Sequence, residues 1–277
     1  MTDQTGEDVL EFTILGCGSS GGVPRADGAW GVCDPAEPRN WRTRCSLAVR
    51  RKTPLNQLDM TTILVDVSPD FRLQAMHAGL THLDTVLVSH DHADQIHGID
   101  DIRAFFLRQR RRIECLANQD TISSLNARFR YIFEGDKGYP AIADLKLAPP
   151  FGERFEIDGP SGAIAVSTYE QDHGDVQALG FRFGGVAYSA DVVRLSPQAK
   201  EMLQNLDVLI IDALRYLPHP THAHLDQALA WIDELKPRRA ILTNMHIDLD
   251  YQTLKASLPA NVEPAYDGMR FEAPIRA

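Results

Sequence analysis

The segment His90-Asp91-His92-Ala93-Asp94-Gln95 follows the apolar run Val86-Leu87-Val88-Ser89 and brings two imidazoles and a carboxylate to alternating positions. Side chains alternate with period two along an extended segment, so His90, His92 and Asp94 are expected on one side of it. Imidazole nitrogens suit zinc, manganese or iron, and a carboxylate beside them admits harder ions. The grouping therefore points to a divalent cation without choosing which. A solvated polar loop that happens to hold two histidines is the competing reading, and the rest of the chain must decide between them. Other segments also deliver metal-capable or acid-base residues after an expected strand: His173, Asp191, His222 with His224, and Asn244 to His246. A lone histidine is more often structural or a surface residue. Their shared placement favours a common site.

The elements that would position these residues are legible as patterns. Residues 11–15 read as a first strand, ended by the glycine-rich turn Gly16 to Gly22, where glycine permits positive φ and close approach of backbone to a ligand. A Pro- and Gly-rich loop runs to about residue 44, followed by strands at 46–50 and 62–67 and a helix at 69–78. Past the histidine segment, Ile102, Phe105 and Phe106 mark one face of a helix at 99–107. Arg108 to Arg112 close it as a basic, solvated helix end that suits the helix dipole, with phosphate binding as the alternative. Strands at 163–169 and 179–183 flank His173, a strand at 186–189 ends just before Asp191, and strands at 208–212 and 240–243 enclose a helix at 225–235. Strands and helices alternate. With no internal repeat, low-complexity tract or linker, a single domain over residues 1–277 is expected, built as stacked sheets with outer helices.

Composition narrows the class. At 44% hydrophobic and 24% charged residues the chain is an ordinary globular sequence rather than a disordered or fibrous one. No apolar stretch approaches the ~18 residues a membrane span needs. Residues 1–11 are polar and acidic, unlike a secretion signal, so a cytoplasmic location is expected. The net charge of −10 disfavours broad attraction to nucleic acid or anionic membrane. Cys17, Cys33, Cys45 and Cys115 show neither C-x-x-C spacing nor the density of a disulfide scaffold, and are read as reduced thiols.

The order H-x-H-x-D, a histidine before Gly174, Tyr188-Ser189-Ala190-Asp191, and a Thr-x-Met-His segment after a strand resembles the metallo-β-lactamase superfamily across nearly the whole chain. Gly16-Cys17-Gly18-Ser19-Ser20-Gly21-Gly22-Val23-Pro24 resembles the opening of its cyclic phosphodiesterase branch, which includes the phosphoribosyl cyclic phosphate phosphodiesterase of phosphonate catabolism and lies near tRNase Z. Pro220-Thr221-His222-Ala223-His224-Leu225 is similar to the histidine motif that these enzymes use as a general acid. The resemblance implies an α/β fold, an αββα sandwich of two mixed sheets packed face to face with helices outside. It implies two divalent ions, zinc or manganese. His90, His92 and His173 would hold one, Asp191 would bridge to the second, and Asp94 would anchor that second ion beside the reacting water. It further implies hydrolysis of a small cyclic nucleotide or sugar-phosphate diester, with His222 as general acid. Asp66 matches an aspartate that orders the ligand loop, its rival reading being an ordinary strand-end carboxylate. Ser19, Ser20, Gly21, Arg44, His222 and His224 are the expected substrate contacts, with Arg25 and Arg42 on the same loop.

Departures from the pattern fall on one side of the site. Gln95 stands where the motif has histidine, and a neutral amide oxygen is the weaker ligand, so the second ion should bind less tightly or be a harder one. The final Thr-His is replaced by Thr243-Asn244-Met245-His246, leaving either Asn244 as a poor ligand or His246 as a shifted one, of which His246 is favoured. The structural zinc of the phosphonate-pathway enzyme is not expected, since only Cys33 follows the Gly-Val-Pro turn and Ile247 occupies the histidine's place. Nuclease action on tRNA is not favoured, because no long basic and aromatic arm is apparent. Thioester or lactone hydrolysis and a degenerate nucleotide sensor remain the other readings. Homodimerisation is left open.

Overall fold

In the computed structural model, which describes residues 7–54 and 56–276, the chain forms two seven-stranded sheets. β1 (Val9–Gly16), β2 (Ser46–Thr53) and β3 (Asn56–Val65) make an antiparallel meander, extended in parallel by β4 (Thr85–Leu87), β5 (Ile113–Ala117) and β6 (Ala143–Leu147). The second sheet repeats the plan. β7 (Arg154–Ile157), β8 (Ile164–His173), β9 (Val176–Phe183) and β10 (Val186–Ser189) are antiparallel, and β11 (Val208–Asp212), β12 (Arg239–Thr243) and β13 (Val262–Pro264) continue in parallel. β14 (Met269–Pro274) then returns to pair with β1.

Parallel neighbours require crossovers, and helices supply them. α1 (Phe71–Ala78) joins β3 to β4; α2 (Ala93–Ile96) and α3 (Arg103–Gln109) precede β5; and α4 (Gln119–Glu134) leads to β6. In the second half α5 (Pro197–Met202), α6 (Leu225–Leu235) and α7 (Tyr251–Ser257) play the same part. Because both faces of the central strands are covered, their residues alternate between two cores. Leu47, Val49, Ile63, Val65 and Leu87 face the opposite sheet, while Ala48, Leu64, Val86 and Val88 pack with Phe71, Phe105 and Leu125 from the helices. Phe12 bridges the layers, edge-on to Phe183 at 6.0 Å and stacked on Phe271 at 5.0 Å. This is the αββα arrangement expected from the sequence.

Several local expectations are corrected. The strand at 62–67 stops at Val65 because Asp66 turns to φ 61°. The helix at 99–107 is a 3-10 turn, Ile99–Ile102, followed by α3. The strands flanking His173 are longer than expected and form one hairpin whose turn contains Gly174 at φ 76°. Alternation does not run through the histidine segment either: the chain enters α2 at Ala93, so Asp94 sits in a helical first turn. No helix among the described residues is long and apolar enough to cross a membrane.

Asp250 ties the long loop between β1 and β2 to the second half of the chain. Its carboxylate caps α7 by accepting from Thr253 N–H at 2.9 Å, and also accepts from the Asn40 side chain at 2.7 Å and Asp34 N–H at 3.2 Å. Burial opposes its ionisation, but these donors hold its pKa down to about 2. The stabilisation is therefore complete above the unfolded value near 4 and lost as pH falls through about 2. Asp250→Ala should cost about 2 kcal/mol in urea unfolding at neutral pH, through the lost cap and the unsatisfied Asn40 amide. The gap from wild type should narrow in acid; an equal gap at pH 7 and pH 2 would show that the carboxylate's charge plays no part.

Candidate metal centre and active site

The first imidazole is oriented by a relay that starts at the end of β3. Asp66 accepts from the Ser89 N–H at 2.7 Å and from its hydroxyl at 2.8 Å. With its proton committed to Asp66, Ser89 Oγ accepts from His90 Nδ1 at 2.9 Å. That tautomer leaves the Nε2 lone pair of His90 buried and without a partner. His173, at the end of β8, donates from Nδ1 to the Thr221 carbonyl at 2.7 Å, so its Nε2 carries a lone pair, which meets His92 Nδ1 in a hydrogen bond of 3.2 Å. Ring centroids of His90, His92 and His173 lie 4.5–5.0 Å apart. Burial pushes the pKa of His90 well down and lowers that of His173 to about 4, so both are neutral at physiological pH, as ligation requires. Three convergent imidazole nitrogens, one of them buried and unsatisfied, fit a divalent ion.

On the other side lies Asp191, buried just past β10. His173, Asp191 and His222 form a second group of potential ligands that shares His173 with the first. Burial raises the Asp191 pKa well above the carboxylate range, His222 draws it down, and Asp94, Asp212 and Asp66 push it up again. A cation among these carboxylates would invert that balance. Gln95 donates from Nε2 to Asp191 at 3.2 Å and to Asp94 at 3.3 Å. Asn244 donates from Nδ2 to Asp191 at 3.3 Å and to the Ala190 carbonyl at 3.0 Å.

His222 donates from Nδ1 to Asp212 at 3.0 Å, and Asp212 is wholly buried at the end of β11. Burial alone would lower the pKa of His222, but Asp212, with Asp191 and Asp94, lifts it to about 9. Burial lifts Asp212 itself to about 6, with His222 holding it down. The two are an ion pair at neutral pH. His222 opens onto a cavity of about 440 Å³ lined by Ser19, Ser20, Gly21, Arg25, Leu214, Arg215, His219 and His246. A larger depression of about 840 Å³ around His82 and Arg111 is remote from the imidazoles, and its Asp84 is paired with both.

The structure thus brings together His90, His92, Asp94, Gln95, His173, Asp191 and His222, with Ser19, Ser20 and Gly21 at the cavity wall. It separates three others. Arg44 is taken up by a bidentate interaction with Asp70 at 3.0 and 3.1 Å and does not line the cavity. His224 is at the N-terminus of α6 and does not line it either. His246 lies outside both ligand groups, against Arg25 and 3.1 Å from Asp248, while Asn244 is the residue that touches Asp191. Arg42 is buried and braces the loop through Asn40 at 3.2 Å and the His246 carbonyl at 3.4 Å. Cys33 donates to the Ile247 carbonyl at 3.4 Å, and all four cysteines are free and buried. Asp212, Arg215 and His219 were not singled out from the sequence. Asp212 carried the same signal as Asp66, a lone carboxylate closing an apolar strand.

Residues 61–247 match the beta-lactamase superfamily domain. Among solved structures, a diphosphatase of the PhnP family is 32% identical, with a TM-score of 0.81 over 96% of this chain and 98% of that one. The chain belongs to the metallo-β-lactamase superfamily of hydrolases, and is related within it to the PhnP family. Two more distant structures share the fold. Zn(2+)-bound PqqB from Methylobacterium extorquens is 17% identical with a TM-score of 0.71 over 94% of this chain and 99% of that one. Human tRNase Z, short form, is 16% identical with a TM-score of 0.61 over 96% of this chain and 100% of that one. An octanoyltransferase from Porphyromonas gingivalis is 31% identical over 264 residues, 94% of this chain; the chain spans about half, 51%, of that relative's length.

If Asp66 orients His90 through Ser89, Asp66→Asn should weaken metal affinity about 10- to 100-fold while the fold survives, because asparagine tolerates positive φ but cannot accept both Ser89 donors. Competition with a chromogenic chelator measures this. Unchanged affinity would remove Asp66 from the relay.

Proposed function

We propose that the protein is a metal-dependent hydrolase of a small phosphodiester or diphosphate ester, with a divalent ion, zinc or manganese, held by His90, His92, His173 and Asp191. The observation that carries this reading is the abutment of the imidazole cluster on a cationic cavity. Arg25, Arg215 and His222 supply the positive charge there, beside His219, whose pKa burial lowers, around a space of about 440 Å³ that suits a compact anionic substrate. When bound, a divalent ion supplies Lewis acidity and a water of lowered pKa. The chain's own residues do the rest. Arg25 and Arg215 bind and orient the anionic group, and the exposed Ser20 and Gly21 let the substrate approach the backbone. His222, kept protonated by Asp212, gives its proton to the departing oxygen, and Asp212 holds the ring in the orientation that permits it.

The similarity to a PhnP-family diphosphatase supports phosphorus as the reacting centre. A compact cavity and a net charge of −10 favour a small substrate over tRNA. A second reading, hydrolysis of an acyl thioester, draws on the match to half of an octanoyltransferase. Acyl transfer through a cysteine of this chain is not supported, since burial raises the pKa of all four thiols.

His222→Ala should reduce kcat on bis-p-nitrophenyl phosphate about 100- to 10,000-fold while metal content stays at the wild-type level. Undiminished turnover would remove His222 from the reaction. Arg25→Ala should act mainly on KM. A panel of 2′,3′-cyclic nucleotides, ribose 1,2-cyclic phosphate, a nucleoside diphosphate, precursor tRNA and an acyl thioester assigns the substrate class. Turnover of the thioester alone would overturn the phosphorus reading in favour of the second.

A further inference from the structure

The imidazoles of His90, His92 and His173 converge, His90 Nε2 buried without a partner, but the point where the Asp94 and Asp191 carboxylates approach each other is already filled by hydrogen-bond donors. Gln95 Nε2 reaches Asp94 at 3.3 Å and Asp191 at 3.2 Å, bridging the two carboxylates as a cation would. Asn244 Nδ2 reaches Asp191 from another side at 3.3 Å and is anchored on the Ala190 carbonyl at 3.0 Å. Both carboxamides are buried. For either to ligate a cation its oxygen must replace the donating nitrogen, surrendering the bonds to the carboxylates; Gln95 Oε1, buried without a partner, has no bond of its own to give up. His246, the imidazole nearest in sequence, is outside the ligand groups and against Arg25.

We propose that this chain holds one divalent ion, on His90, His92, His173 and Asp191, and that Gln95 and Asn244 take the place of a second ion by donating to Asp191 and Asp94. This rests on the metal reading above and goes beyond it in fixing the count. A carboxamide N–H satisfies a carboxylate oxygen without adding charge, so the three bonds donated to Asp191 and Asp94 stabilise the acidic pair while occupying the place a cation would take. A second ion must displace those bonds and then accept two neutral oxygens where imidazoles would serve better. His222 remains free of metal, with Nδ1 on Asp212 at 3.0 Å.

The test is metal stoichiometry. Full-length protein is stripped with a chelator, titrated calorimetrically with Zn²⁺ and separately with Mn²⁺, desalted, and analysed for bound metal per chain. One ion per chain is expected for the wild type. The double variant Gln95→His with Asn244→His should take two, with a Co²⁺-loaded sample doubling its visible absorption. Two ions in the wild type overturn the inference. A folded double variant that still takes only one overturns the assignment of the carboxamides as the excluding groups. Should the double variant not fold, the wild-type count decides alone, with Gln95→His as the second measurement. No ion in any of these proteins would overturn the reading of the imidazoles as ligands, whereas two ions leave that reading standing and sink only the count.

Discussion

A buried carboxyl group at Asp191 is the constraint around which the site is arranged. Its carboxylate lies past the end of β10, almost wholly removed from water, with Asp66, Asp94 and Asp212 close enough to raise its pKa further. Such a group must be neutralised, hydrogen-bonded or paired. The chain does this with groups from distant segments: Gln95 after β4, His222 after β11 and Asn244 after β12. The conserved logic of the two-sheet plan makes this possible, because parallel strands joined by outer helices end at the same edge, and each exit there contributes a polar residue to one point.

The same edge explains which parts of the site were legible in the sequence. His90, His92 and Asp191 follow apolar runs that had to be buried strands, and His173 closes another strand, so residue type and strand exit together located them. The glycine-rich turn after β1 was legible for the same reason, and its Ser19, Ser20 and Gly21 do line the cavity. Asp212 was equally visible as a strand-end carboxylate, yet its meaning depends on His222, ten residues away across a loop with no period to read. Arg44 and Arg25 could not be told apart by spacing. Only the folded chain shows that Asp70 takes the first and leaves the second facing the cavity.

In the fold, the apolar strands β10, β11 and β12 and the amphipathic α6 were found within a residue, while β3, β8 and β9 run three to six residues past their expected bounds. The elements that escaped were those whose pattern is blurred by context. β6 and β7 are sheet-edge strands with several exposed residues, so their alternation is interrupted. α4 is polar on average, with Asn118 as its N-cap and a non-helical residue at Phe129, and its identity rests on tertiary packing against β6. β14 is defined by pairing with β1, more than 250 residues earlier, a partner no local window contains.

Why His246 does not replace the imidazole that Asn244 lacks follows from backbone geometry. β12 ends at Thr243, and Asn244 adopts φ 61°, a conformation asparagine tolerates far better than histidine. That residue breaks the strand alternation that would otherwise have put positions 244 and 246 on the same side. Met245 is then stitched to the β1 exit, its N–H on the Cys17 carbonyl at 2.9 Å and its carbonyl accepting from Ser19 N–H at 3.3 Å. The His246 N–H is in turn held by the Leu214 carbonyl at 2.9 Å, which directs the residue to the cavity wall beside Arg25. Three backbone hydrogen bonds linking the exits of β1, β11 and β12 thus fix the outcome, and a side-chain rotation at His246 alone cannot undo it. The position that sequence reading favoured for metal ligation belongs instead to the wall of the cavity that His222 also lines.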